Sequence, residues 1–426
     1  MRVVKYFGFL CILSIYPALL SAAQDLAFPG LSLKDAERLA LQRDTLVKGL
    51  EQEARAYSEQ SMVAQTWPDP RIKFGAQAVP IDTFDLEQEP MTQIVLGYQQ
   101  MLPRGNSLEY AAESMNAMSR MQIAKSKKRQ REVLMNVRHA WLDVVLQNES
   151  IRIIKASRQL FVKMLDISQL YYAEGRQQKQ DVVQAELEIS LVDDRLQQAY
   201  SKLIVAQANL AKWVGEENIQ NDLIVSAENL NIKTIADIQA LINTVEFNPE
   251  LTVVNEKVIS QQTRLHMADE QYTPQWGFDI NYGKRSGNNP DGSERDDFLT
   301  AMVTVDLPLF TENRQDRELS AAKQRLQSSR YEQIDVRRLL VKRLKEISGR
   351  LDKLNVRHQL YKDKVLPQSR QNSEVALRGY QSGVVTFFTL TRARITELNT
   401  RLSDLQIKVD YNKAYAELQY LIGERS

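Results

Sequence analysis

From residue 182 onward, apolar side chains return at alternating intervals of three and four: Val182, Ala185, Ile189, Val192, Leu196, Ala199, Leu203, Ala206, Leu210 and Trp213. This is the stripe of a helix seated in a coiled-coil seam. No proline or glycine interrupts it between Gly175 and Gly215. Residues 172–216 are then written a second time, without insertion, 208 positions later as residues 380–424. Tyr172-Ala-Glu-Gly175 answers to Tyr380-Gln-Ser-Gly383, Ala185 to Ala393, Leu196 to Asp404, Leu210 to Leu418, and Val214-Gly215-Glu216 to Ile422-Gly423-Glu424. The second copy keeps the period less cleanly, through Ile395, Leu398, Leu402, Leu405 and Val409 and then Ala414, Leu418 and Leu421. The pattern predicts a duplicated chain of long helices.

The rest of the chain falls into the same two halves. Leu33, Ala36, Leu39 and Ala40 have helical spacing, with Ser32 placed as a cap, and the helix must end at Trp67-Pro68-Asp69-Pro70. The period then becomes two: Ile72, Phe74 and Ala76, and after a polar loop over 80–90, Ile94, Leu96 and Tyr98, alternate with polar or small residues. This predicts a hairpin of two strands of about ten residues each. Leu102-Pro103 ends it, and residues 107–174 form a helix free of proline and glycine. The second half repeats the plan: a helix from Pro249, a strand with Trp276, Phe278, Ile280 and Tyr282 on one side, a Gly/Asn/Asp loop over 283–297, a return strand over 298–309, Leu307-Pro308, and a helix over 314–380 interrupted at Gly349 and Pro367. A 60-residue helix is roughly 90 Å long, so these helices must pack side by side.

Met1 to Ala23, with Arg2 and Lys5 ahead of an apolar run and Ser21-Ala22-Ala23 after it, has the pattern of a secretory signal peptide. The expected organisation is a signal peptide over 1–23, a first repeat of helix, strand pair and helical hairpin over 24–217, an exposed equatorial linker over 218–240, and a second repeat over 241–426. Nothing after residue 23 approaches the roughly 20 continuous apolar residues of a membrane helix. The single cysteine, Cys11, lies in the leader, so no disulfide or thiol chemistry is expected of the mature chain.

Charge and candidate chemistry narrow the function. With 55 Lys and Arg against 54 Asp and Glu, the net charge is +1, which gives no electrostatic ground for nucleic-acid binding. The basic run over 125–131 lies inside a helical pattern and is expected to be a solvated face. His139, His266 and His358 are far apart in sequence, so no metal site is expected. Met115, Met118 and Met121 have the spacing of filler in a helix seam. The acidic pairs Asp193-Asp194 and Glu216-Glu217 diverge on a helix rather than face each other. No nucleophile motif or phosphate loop is present, so neither a cofactor nor an enzyme activity is expected.

Two strand pairs cannot close a barrel, and isolated hairpins are marginal in water. Strands of this length suit a tilted crossing of a bilayer, where only closed barrels are tolerated. A secreted chain with such strands is expected to oligomerise in an outer membrane, in contact with its lipid. A periplasmic coiled-coil scaffold, or an adaptor subunit with one long helical hairpin, is the alternative reading.

The duplicated order of helix, strand pair and helix pair, the Leu-Pro after each second strand and the twin Tyr-x-x-Gly turns together resemble the TolC-like outer-membrane efflux protein family. The approach Trp67-Pro68-Asp69-Pro70 is similar to that of its heavy-metal cation efflux members. The resemblance implies a mainly α chain whose duplicated coiled-coil hairpins form a periplasmic α-barrel. Four strands per chain would contribute to a trimeric twelve-stranded β-barrel. It also implies a homotrimer working with a periplasmic adaptor protein and an inner-membrane efflux pump. Gly175, Gly383 and Tyr380 would stand at the adaptor-contacting tip. Tyr380 and Asp181 match a tyrosine and an aspartate that close the tip in the founding member, but the arginine of that network is replaced by Val385. The aspartates lining its narrowest ring are replaced by Thr389 and Arg392. Asp181, Thr389 and Arg392 are therefore the candidate gate, with Arg392 either facing the pore and pairing with Asp181 or pointing away as an exposed helix residue.

Overall fold

The computed structural model describes residues 31–219, 230, 232 and 238–423. The expected signal peptide lies outside the described residues, as does most of the expected linker. Ser32 caps the first helix, α1 (Leu33–Arg43), by accepting from the Asp35 amide. A break follows that the apolar pattern does not show. Asp44 ends α1 and caps α2 (Thr45–Gln65), its carboxylate accepting from the Val47 amide at 2.8 Å. The strands β1 (Arg71–Gln77) and β2 (Gln93–Met101) lead into α3 (Ser107–Ala173), whose 67 residues span about 100 Å. The first repeat closes with α4 (Lys179–Val214).

After α5 (Ile238–Thr244) the order returns as α6 (Pro249–Asp269), β3 (Gln275–Lys284), β4 (Phe298–Asp306), α7 (Gln315–Leu360), α8 (Leu366–Gln381) and α9 (Phe387–Ile422). Both α4 and α9 have 36 residues, and they begin and end 208 positions apart. Three details differ from expectation. The strands have 7, 9, 10 and 9 residues. Gly349 stays within α7, and the only interruption before residue 381 is the π turn Tyr361–Val365. Its position follows from Pro367, which has no N–H for the carbonyl four residues back and crowds it, so the ladder loosens just upstream. Leu230 and Ile232, described residues of the expected linker, are half-buried against the helices rather than exposed.

All ten seam positions of α4 are buried or half-buried. Four clusters run along the bundle: Phe161, Met164, Ala185 and Leu390 near the hairpin turns, Leu340, Leu344, Tyr411 and Leu418 between α7 and α9, Val137, Val144, Ala206 and Leu210 beneath α1, and Leu142, Leu146, Leu405 and Val409 between α3 and α9. The basic run over 125–131 is not a solvated face. Lys128 pairs with Glu250 on α6, Arg129 pairs with Asp44 at 2.9 Å and lies over the Trp213 ring, and half-buried Arg131 points at the Tyr420 carbonyl. These cations stitch α3 to its neighbours because the surrounding carboxylates and carbonyls face that stretch.

The four strands form one antiparallel sheet in the order β1-β2-β3-β4. Among the described residues, the outer edges of β1 and β4 carry no strand partner.

Candidate functional site

The sheet has two chemically different faces. Ile72, Tyr98, Ile280 and Ala301 lie in one cross-strand row, and Phe74, Leu96, Tyr282 and Leu299 in the next. All eight are exposed. In β3 exposure alternates strictly: Trp276, Phe278, Ile280 and Tyr282 are exposed, whereas Gly277, Asp279 and Gly283 are buried on the opposite face. That face carries Lys73 paired with Asp279, Asn281 hydrogen-bonded to the same carboxylate, and Gln99. At Gly97 on that face an added Cβ would run into the side-chain oxygen of Asn281, so the amide would have to swing away from Asp279 to make room. A solvent-facing apolar surface joined to a polar, paired interior is the inverse of a soluble sheet packed on a core. It suits a wall with lipid outside and water inside.

At the far end of the helices, the two turns are built alike. In the first, the Arg176 amide bonds the Tyr171 carbonyl at 2.9 Å and the Gly175 amide bonds that of Tyr172 at 3.0 Å. In the second, the Val384 amide bonds Gly379 at 2.9 Å and the Gly383 amide bonds Tyr380 at 3.1 Å. These are paired Schellman bonds, and they need a left-handed residue between them. Gly175 and Gly383 supply it with φ of +70° and +76°. No atom lies within 4 Å of where a Cβ would stand on either, so the turns point into open space.

Tyr380 is fully buried, edge-on to Phe387 at 5.5 Å and tilted against Tyr171 at 5.9 Å. Its hydroxyl donates to Asp181 Oδ2 at 3.4 Å, so the structure brings together the tyrosine and aspartate that the sequence pairs. Burial pushes both groups up: the Asp181 carboxyl above its ordinary value, partly offset by the hydroxyl, and the Tyr380 phenol further because the carboxylate faces it. At neutral pH the phenol therefore keeps its proton and donates it. The counterpart Tyr172, on the first hairpin, is half-exposed and has no such partner among the described residues.

Thr389 sits in the first turn of α9, exposed, its hydroxyl 3.1 Å from that of the capping Thr386. Arg392 is exposed one turn further on and makes no ion pair among the described residues, so within one chain it does not meet Asp181. Val385 fills the place of an arginine by packing against Gly379, where an added Cβ would come within 3.0 Å of it.

Two features escape the sequence. Phe387, which no sequence pattern singles out, is the edge partner of Tyr380. Glu397 occupies the position answering to the seam residue Ile189 yet is buried, held by Arg394 at 3.2 Å and by Arg401. The second seam departure, Asp404 opposite Leu196, is likewise buried between His358 at 3.6 Å and Lys408 at 2.8 Å. The spacing Arg-x-x-Glu-x-x-x-Arg is visible in the sequence, but nothing local says that its carboxylate faces inward.

Among the described residues no three His, Cys, Asp or Glu side chains are grouped so as to hold a metal ion, and no helix is long and apolar enough to cross a membrane.

Residues 243–424, nearly the whole second repeat, match the family described as Outer membrane efflux protein. No curated protein matches the chain in sequence. Among solved structures, CusC, described in terms of its folding and transmembrane channel formation, is 14% identical. It covers 98% of this chain and 99% of its own with a TM-score of 0.76. The open-state MtrE outer membrane channel of Neisseria gonorrhoeae is 13% identical over 92% of this chain and 89% of its own, with a TM-score of 0.75. The outer membrane protein VceC of Vibrio cholerae is 15% identical over 92% and 96%, with a TM-score of 0.73. Over its second repeat the chain is thus similar in sequence to the outer membrane efflux protein family, and over its whole length it shares the fold of the solved channels CusC, MtrE and VceC.

Proposed function

We propose that this outer-membrane protein is the exit channel of a tripartite efflux pump. It acts as a homotrimeric, passive conduit that receives cargo from a periplasmic adaptor and an inner-membrane pump. One observation carries the reading: the sheet exposes a band of apolar side chains over its middle rows and keeps the Lys73–Asp279 pair on the other face. Its edges need further strands, and helices of about 100 Å are long enough to reach well into a periplasm. A periplasmic scaffold or adaptor would have no use for a sheet that faces lipid. The chain performs no chemistry on its cargo under this reading.

The test is reconstitution. Purified in detergent, the protein should crosslink as three chains and, added to a planar lipid bilayer, should give discrete conductance steps. A monodisperse monomer that stays in solution without detergent would end the proposal. In cells, loss of the chain should raise sensitivity to pump cargo, and the resemblance of Trp67–Pro70 to heavy-metal cation efflux members makes metal salts the first class to try.

The tip is the proposed gate, with Gly175, Gly383 and Tyr380 at the adaptor contact and Asp181, Thr389 and Arg392 around the constriction. Three Arg392 side chains around one axis, at roughly 8 Å, repel pairwise by about 0.5 kcal/mol in water, so closure needs an anion. Asp181 of a neighbouring chain is the candidate. Arg392→Ala should then raise resting single-channel conductance and favour cations. Asp181→Ala should raise it as well, and the double variant should add little, because both changes break one pair. Unaltered conductance and selectivity in Arg392→Ala would assign closure to other residues.

A further inference from the structure

The internal duplication, taken with the strand register, specifies how one chain meets the next. Leu102-Pro103 and Leu307-Pro308 close β2 and β4 at answering positions, so Gln99 answers to Thr304 and Met101 to Asp306. Within the first hairpin Arg71 pairs with Gln99, and in the second Gly277 pairs with Thr304, so Arg71 answers to Gly277. By the same step Lys73, opposite Gly97, answers to Asp279, opposite Met302. The two hairpins meet inside the chain where β2 pairs with β3, setting Met101 against Gly277 and Gln99 against Asp279.

Replacing each residue by its counterpart turns that internal junction into an external one. We propose that β4 of one chain pairs antiparallel with β1 of a second copy in one fixed register, Asp306 opposite Arg71 and Thr304 opposite Lys73. This proposal rests on the channel reading above. Three features of the free edges fit it. The register keeps Val303 and Val305 on the same outer face as Phe74 and Ile72, so the apolar band continues across the junction. It sets opposite charges directly across the junction at Asp306 and Arg71, both exposed at the sheet's edges, and opposite-charge cross-strand pairs stabilise an antiparallel ladder. Among the described residues Arg71 has no ion-pair partner within its own chain, whereas Asp306 is 3.9 Å from Arg104.

The helices agree. Within the chain α3 packs against α9, so the counterpart contact is α8 against α4 of the neighbour. Val375 on α8 is 61% exposed, while its counterpart Ile167 packs into the core near the turns. Val183 and Leu187 on α4 are 53% and 49% exposed, while their counterparts Thr391 and Ile395 are buried or packed into that core. In each pair, the residue that lies inside the chain is covered, and its mate at the chain's outer flank is bare. A second copy of the chain supplies the missing cover.

Disulfide crosslinking in intact trimers tests the register, with Cys11 replaced by serine. Cross-strand neighbours lie close enough for a disulfide, and positions two residues out of register lie at about 7–8 Å, beyond its reach. Chains carrying both Asp306→Cys and Arg71→Cys, or both Thr304→Cys and Lys73→Cys, should form crosslinked dimers and trimers on mild oxidation. The crossed combinations, Asp306→Cys with Lys73→Cys and Thr304→Cys with Arg71→Cys, should remain monomers on denaturing gels. Crosslinking by the crossed combinations, by all four alike, or by none in a sample that sizes as a trimer, would overturn the register and leave the channel reading intact. A chain that sizes as a monomer in detergent would overturn both.

Discussion

A single left-handed residue ends each helical hairpin, and the structure gives it nothing to touch. A leucine at Gly383 therefore meets no steric obstacle. It would have to hold a φ of +76°, which costs about 1 kcal/mol or more for a residue with a Cβ. That is small beside the packing of the long helices, so on the proposed channel reading Gly383→Leu should leave the proposed trimer and its conductance step in place while weakening efflux through a reshaped adaptor contact. Normal resistance to cargo at normal protein level would remove the tip assignment. The glycine, its turn and the following helix were legible because only glycine suits such a turn and no other glycine breaks the adjoining α4 stripe. The Tyr380–Asp181 contact was legible through family resemblance alone, since the two are 199 positions apart. No local pattern ties them, and the part played by Phe387 had no signal at all.

Along the elements, apolar spacing locates α3, α4 and α9, and the places where it falters mark buried charge. The period of α9 weakens because Glu397 and Asp404 stand where α4 has Ile189 and Leu196. A lone carboxylate in an apolar stripe ordinarily signals that the stripe has turned to solvent. Here the stripe stays inside because arginines three residues before and four after Glu397 lie on the same helix face and satisfy it. Restoring the first repeat's residue with Glu397→Ile should therefore lower stability rather than raise it, because Arg394, 10% exposed at its side chain, would be left without its anion. Removing one member of a buried pair typically costs about 3–5 kcal/mol. The melting temperature of the detergent-purified protein, followed by helical circular dichroism, should fall clearly in Glu397→Ile and recover most of the loss when Arg394→Met is added. A rise in the single variant would show that the carboxylate is a burden its arginines do not offset.

At the scale of the molecule, two repeats at one offset account for most of what the sequence shows. What it could not show lies where the repeats differ, as in the π turn before Pro367 or the ion pairs of the basic run, which depend on neighbours far away in sequence. Two histidines from this class should give the helical bundle a pH dependence. His139 is pushed below its ordinary value mainly by burial, against the Lys413 carbonyl at 3.1 Å and the carboxylates of Glu417 and Asp143. Burial likewise lowers His358, against the opposing pull of Asp404 and with Lys408 and Lys362 nearby. Unfolded, both would titrate near pH 6.5. As the pH falls through that value, the unfolded chain takes up protons that the folded one refuses, so their contribution is present above about pH 6.5 and is lost below it. The limit is about 1.4 kcal/mol per histidine per pH unit between the two values. The shifted carboxyls titrate lower: Asp44 and Asp193 are held below the usual range by Arg129 and Arg158, and Asp181 is raised from a starting value of 3.8. Melting in detergent should therefore occur at lower temperature at pH 5.5 than at pH 7.5, and His139→Gln with His358→Gln should flatten the difference. A wild-type melting temperature that does not change over this range, or an undiminished slope in the double variant, would show that the helical bundle does not sense pH through these two side chains.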